Sequence, residues 1–396
     1  MATSAAARNS KVPVWVAGLI PLAVIGVLVA LFLAFNPIGS LREVPPVEAV
    51  AIERTVFTEE AIEMQVRNDG PDEVTIAQVL VNDSYWNFSM GDATLGRLES
   101  SEIRIPYPWE EDLPVNIALV TSTGATIEHE VEVATLTPEA DAETLGIYAL
   151  LGLYIGVIPV AVGLLWFSAL RRTAKRWLDF FLAFTIGLLA FLLIDTVAEG
   201  FELSSVAPAA LDGLSLFAIG ALGAVVALVV LQQGLTRRGR GKTGEGAAGL
   251  TLAYLIAAGI GLHNLGEGLA VGAALAVGEV ALGTFLVVGF ALHNTTEGLA
   301  IIAPLGSLRD RPAIGHFIGL GAVAGLPTIL GAWLGGFAFS PAWGALAFGV
   351  AAGAIGQVIW QIAASMRKGR EIATGWNGLG FLAGLLFMYG TGLLTA

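Results

Sequence analysis

One short pattern occurs twice in this chain, thirty residues apart: His263-Asn264-Leu265-Gly266-Glu267-Gly268 and His293-Asn294-Thr295-Thr296-Glu297-Gly298. On a helix, a histidine and a glutamate at i and i+4 stack on one face about a turn apart, which is how a single helix offers two ligands to one ion. Two copies offer four ligands, with Asn264 and Asn294 adding neutral amide oxygens. Imidazole and carboxylate together suit Zn²⁺, Fe²⁺, Mn²⁺ or Co²⁺. The chain has no cysteine, so disulfides and thiolate sites are excluded. The lack of thiolate or thioether partners near the pattern argues against Cu⁺.

The elements that must carry these residues are apolar. The chain has 396 residues, 55% hydrophobic and 13% charged, with mean hydropathy +0.75; a soluble domain carries roughly a quarter charged residues. Beyond Thr144 there are eight apolar stretches, at about 144–170, 177–200, 208–234, 248–276, 279–305, 313–338, 341–364 and 374–395. Each is long enough to cross a hydrocarbon layer of ~30 Å as a helix. The two patterns fall in the fourth and fifth stretches, with a turn expected near Gly278. In an antiparallel hairpin His263 and His293 then lie at one depth, Glu267 a turn nearer the outside and Glu297 a turn nearer the cytoplasm. Ionisable groups at such depth are costly and are functional candidates by default.

Alternate links hold Arg171, Arg172, Lys175 and Arg176; Arg237, Arg238, Arg240 and Lys242; Arg309 and Arg311; and Arg367, Lys368 and Arg370. With Arg8 and Lys11 these make 15 of the 20 basic residues. Basic residues are retained in the cytoplasm, so a plasma-membrane protein with a cytoplasmic N-terminus and an external C-terminus is expected. An uninterrupted apolar run from Val12 to Phe35 is too long for a signal h-region, and Leu33–Gly39 offers no clear small-x-small cleavage site, so residues 1–40 read as a cytoplasmic stub and a retained anchor helix. Of the 33 acidic residues, 22 lie between Glu43 and Glu143. There, runs such as AIEMQVRN, VTIAQVLVN, SEIRIPY, VNIALVTS and TIEHEVEVATL alternate with period two between turn-like NDGPDE, MGDATLG and STG. Residues 44–138 therefore read as an external, acidic β-sandwich of about seven short strands, Ig-like in plan, and residues 144–396 as an eight-helix membrane domain. No nucleic-acid partner is expected of so acidic a chain. For the sandwich, the expectation is dimer contact or accessory regulation.

The paired segments HNLGEGLAVGA and HNTTEGLAIIAPLG resemble the metal-binding helices of the ZIP (Zrt/Irt-like) transporters. The resemblance implies eight membrane helices, a binuclear site near the bilayer middle, movement of zinc or a related ion (Fe, Mn, Co, Cd) toward the cytoplasm, and an elevator-like motion. Carried over by residue, His263, Glu267, His293 and Glu297 match the family's ligands, with Asn264 and Asn294 at the second positions; no resident cofactor is implied beyond the transported ion. The chain departs from the family in having Gly266 and Thr296 where proline is usual. Its sixth stretch, AGLPTILGAWLGG, has Thr328 at the position where a glutamate is common.

Other polar residues in the spans are weaker candidates. Asp195, Glu199 and Glu202 fall at helical spacing near the outer end of the second stretch and would line an entrance that concentrates cations. Gln357 and Gln361, one turn apart, would hydrate an exit or hydrogen-bond between helices. His316 stands near the cytoplasmic end of the sixth stretch, where it would receive an emerging ion or serve as an interfacial side chain, and His129 stands alone in the sandwich. No H-E-x-x-H motif or other enzyme signature is present. The competing class is a metal-responsive sensor or receptor whose working end is the sandwich.

Overall fold

The computed structural model describes residues 14–35, 47–239, 245–306, 308, 311–367 and 374–393. The N-terminal stub with Arg8 and Lys11, the Gly39 end of the Leu33–Gly39 segment, and Arg42, Arg240, Lys242, Arg309, Lys368 and Arg370 lie outside these residues. The chain divides into two compact units. The first contains one helix, α1 (Val14–Phe35), whose described side chains are largely exposed.

The second unit begins with the β domain. Its strands are β1 (Val50–Phe57), β2 (Ile62–Asn68), β3 (Val74–Val81), β4 (Ser84–Trp86), β5 (Ser89–Met90), β6 (Thr94–Leu95), β7 (Ser100–Ile105), β8 (Val115–Thr121) and β9 (Thr126–Val131). Two antiparallel sheets form, in the orders β1-β2-β7-β5 and β4-β3-β8-β9, with β6 added on β3. The alternation places Ile62, Met64 and Val66 of β2, Ile103 and Ile105 of β7, and Ile117 and Leu119 of β8 in one closed core. Three of the nine strands have only two or three residues, which is why the sequence pattern shows fewer. The first arises because Asn82 and Asp83 both take positive φ, 48° and 63°, the backbone a two-residue hairpin turn needs.

Eight helices follow: α2 (Ala142–Leu170), α3 (Lys175–Val206), α4 (Gly213–Gly239), α5 (Glu245–Ala276), α6 (Val280–Ile302), α7 (Ile314–Ala338), α8 (Pro341–Met366) and α9 (Gly375–Gly392). Among the described residues, seven stretches, coinciding with α2 to α8, are long and apolar enough to span a membrane, so this is a multi-pass helical membrane protein with an added β domain. The eighth expected span is the 18-residue helix α9, whose glycines and Asn377 dilute its apolarity. It nevertheless packs along α3, where an added Cβ on Gly384 would meet the Phe184 carbonyl oxygen at 2.1 Å.

Two groups of helices stand out in the packing. In one, α5 runs beside α7, and α2 packs on both α6 and α7. In the other, α8 lies against α3 and α4, and α9 against α3. The α5–α7 contact is backbone on backbone: a Cβ at Gly268 would meet the Thr328 carbonyl oxygen at 2.1 Å, and one at Gly331 would meet that of Leu265 at 2.1 Å. Small residues allow this approach, and dispersion between the two backbones holds it.

The β domain is seated on the helix ends at three places. Asp69 accepts from the backbone N–H groups of Ala209 (2.7 Å) and Ala210 (2.6 Å) in the α3–α4 link. Thr135 packs against Gly278 in the α5–α6 turn. Arg54 donates to the carbonyl oxygens of Phe337 and Gly336 at the C-terminal end of α7, where a cation meets the negative pole of the helix. Burial there pushes the Arg54 guanidinium below its ordinary pKa. All three links fall between the basic ones, so the β domain and the basic links occupy opposite ends of the helices.

Candidate metal centre

The α5–α6 hairpin turns at Gly278, whose φ of 78° suits glycine. His263 and His293 each lie thirteen residues from the turn ends of their helices, Ala276 and Val280, about 20 Å along the axis. That depth places them well inside a ~30 Å hydrocarbon layer. His263, Asn264, Glu267, His293, Asn294 and Glu297 are all buried, none more than 7% exposed.

Three of them converge. One atom each from His263, Glu267 and His293 lie within 4.8 Å of one another. Glu267 Oε1 is the hub: His293 Nε2 contacts it directly, and His263 Nε2 lies 3.2 Å away, off hydrogen-bond geometry. Two imidazole nitrogens and a carboxylate oxygen buried within reach of one another are the ligand types a divalent transition-metal ion takes. The matched depth of the histidines is what lets a glutamate from one helix meet an imidazole from both.

Glu297 is not part of this trio. Its two carboxylate oxygens are buried without a hydrogen-bond partner among the described residues, and Asn264 approaches it without hydrogen-bond geometry. Glu297 also borders a small, mostly apolar cavity with room for about one water-sized sphere, together with His293, Thr296, Ala300, Thr185, the leucines of α3 and Met388 of α9. Met388 lies 95 residues beyond His293, and only the packing of α9 against α3 and α6 brings it there.

The asparagines act chiefly through their N–H groups. Asn294 Nδ2 donates to Glu267 Oε2 (2.7 Å) and to the Ile155 carbonyl (3.1 Å), and Asn264 Nδ2 donates to the Ala324 carbonyl (3.1 Å). Their Oδ1 atoms stay buried and unpartnered. The Ile155 acceptor sits in a π-helical turn of α2, Leu153–Val157, and Pro159 four residues on has no N–H to offer it. The Ile155-to-Pro159 spacing marks in the sequence a carbonyl left without its helical donor, but not the partner it takes.

The remaining candidates are dispersed. Asp195, Glu199 and Glu202 are exposed on α3, toward its C-terminal end, and are not members of the trio. Thr328 is buried against Gly156 with its hydroxyl unpartnered. Gln357 is half-buried, and Gln361 is fully buried with neither amide atom hydrogen-bonded, so the interhelical bond expected of it does not form. His316 is half-buried and its Nδ1 lies 3.2 Å from the Tyr254 hydroxyl. His129 pairs with the Thr55 hydroxyl at 3.0 Å, and burial pushes its pKa down.

Neither a family model nor a curated protein matches this chain. The conclusion drawn from the fold and the site together is the coarser one: a multi-pass helical membrane protein with a buried His/Glu cluster compatible with metal binding.

Proposed function

We propose that this protein moves a divalent transition-metal ion, zinc foremost, across a membrane through the His263–Glu267–His293 site. The observation that carries the reading is the convergence of two imidazoles and a carboxylate at mid-depth of two apolar helices. A polar network serving only to join helices would pair donors with acceptors, whereas here Glu297, Asn264 Oδ1 and Asn294 Oδ1 are left with none. The resemblance of the paired motifs to ZIP transporters points the same way, as do the eight helices after the β domain. On this reading the basic links face the cytoplasm, the β domain lies outside, and metal travels inward. The two packing groups of helices offer the parts for an elevator-type motion, with α2, α5, α6 and α7 carrying the ion past α3, α4, α8 and α9.

The test is ⁶⁵Zn²⁺ uptake into proteoliposomes by the intact protein, Glu267→Gln and His293→Ala, in competition with Fe²⁺, Mn²⁺, Co²⁺ and Cd²⁺. Saturable uptake lost in both variants is expected. Metal binding without flux of any ion would refute transport and favour a metal-responsive sensor.

A further inference from the structure

We infer that Asp69 is a latch: it ties the β domain to the α3–α4 link and must let go each time the two groups of helices move past one another. The inference rests on the transport reading above and adds a releasable contact to it. Its ground is the unequal way in which the β domain is fastened to the two groups.

To one group the fastening is stiff. The Thr137 hydroxyl accepts from the Phe57 N–H (3.0 Å), and the Thr137 N–H donates to the Phe57 carbonyl (2.9 Å). The chain is thereby pinned to β1 just before Asp141 caps the start of α2. From β1, Arg54 donates to the Gly336 and Phe337 carbonyls of α7, and the Phe337 ring meets Tyr148 of α2 edge-on, with centroids 5.1 Å apart. Thr135 lies against Gly278 in the α5–α6 turn. The β domain is thus fixed to α2, to α7 and to the hairpin that carries the metal cluster. To the other group it reaches with Asp69, whose two carboxylate oxygens take the N–H groups of Ala209 and Ala210. The bond to Ala209 is exposed, so water can replace both partners at little net cost when it opens.

Burial of the site makes that opening necessary. His263, Glu267 and His293 all stand on α5 and α6 and are at most 7% exposed. Across a small apolar cavity His293 faces Leu188, Leu189 and Leu192 of α3 and Met388 of α9. An ion enters or leaves when α5 and α6 shift against these covering helices, a rigid-body movement of one bundle past another. The β domain, fixed to the moving hairpin, then carries Asp69 away from Ala209 and Ala210.

The chain has no cysteine, so a thiol pair can be placed at the latch alone. Asp69→Cys and Ala209→Cys would be combined in the full-length protein and joined in proteoliposomes by a bis-methanethiosulfonate reagent, which a phosphine later removes. The joined protein is expected to bind Zn²⁺ as the wild type does, to lose ⁶⁵Zn²⁺ uptake by roughly tenfold or more, and to recover it on removal of the reagent. Each single-cysteine variant, treated alike, is expected to keep its uptake. A second measurement needs no variant: hydrogen exchange at the Ala209 and Ala210 amides of the wild type should run several-fold faster during zinc uptake than in zinc-free liposomes. Undiminished uptake in the joined protein, uptake and zinc affinity lost together, or exchange indifferent to zinc would each overturn the latch and leave the transport reading standing. A wild type that binds zinc and moves none would overturn the transport reading itself.

Discussion

Two glycines of α5, two residues apart, should respond in opposite directions to one added methyl group. At Gly268 a Cβ would lie 2.1 Å from the Thr328 carbonyl oxygen, 2.8 Å from the Ala332 nitrogen and 2.9 Å from the Thr328 carbonyl carbon, all backbone atoms of α7. No rotamer change relieves such contacts, so α5 and α7 must separate by about 1 Å to restore van der Waals distance. At Gly266 the nearest atom is the Ala351 Cβ at 3.8 Å, an ordinary contact. Gly268→Ala should therefore destabilise by about 1–3 kcal/mol, the usual range for overpacking. Gly266→Ala should be neutral or stabilise by up to about 1 kcal/mol through helix propensity. The assay is thermal unfolding of the purified protein in one detergent, read by tryptophan fluorescence and by the fraction remaining monodisperse. Because Glu267 sits between the two positions, Zn²⁺ affinity measured in parallel should fall in Gly268→Ala and hold in Gly266→Ala. Equal melting temperatures for the two variants would refute the backbone-on-backbone packing that positions Glu267.

Replacing Asn294 with leucine removes the N–H donor shared by Glu267 Oε2 and the Ile155 carbonyl; Zn²⁺ affinity should fall by about 10–100-fold, as for other outer-shell partners of metal ligands, and calorimetry would detect it. Asp69→Ala should cost about 1 kcal/mol as a lost helix cap, visible as faster hydrogen exchange at the amides of Ala209 and Ala210, with no such change at β8. Burial lowers the His129 pKa below 6.5, so between the folded value and 6.5 the unfolded chain binds more protons. Its contribution is therefore fully present above pH 6.5 and lost as pH falls toward the folded value. Protection factors in β9, which correct for the intrinsic pH dependence of exchange, should fall between pH 7 and pH 5 in the wild type and less so in His129→Gln; identical profiles would show that His129 has no part in it.

Much of this architecture is legible in the residues because membranes and sheets impose strong periodic constraints. A hydrocarbon layer demands about twenty apolar residues per crossing, and a half-buried strand demands alternation, so the helical spans and the long strands of the β domain stand out. What escaped was short: β4, β5 and β6 are too brief to show a period. The last helix, α9, was legible as the eighth apolar stretch although its glycines and Asn377 thin it.

The candidate site divides along the same line. Helical spacing and the turn at Gly278 were enough to bring His263, Glu267 and His293 together, because one hairpin carries all three and a regular helix leaves little freedom in where its side chains fall. Contacts from helices distant in sequence were a different matter. Nothing in a linear pattern tells that Ile155 will anchor Asn294, that Met388 will share a cavity with Glu297, or that Asp195 will stand exposed. Those depend on which helix faces are apposed, and in a membrane that choice rests on close backbone approach at small residues rather than on hydrophobicity, which every face of every span possesses alike.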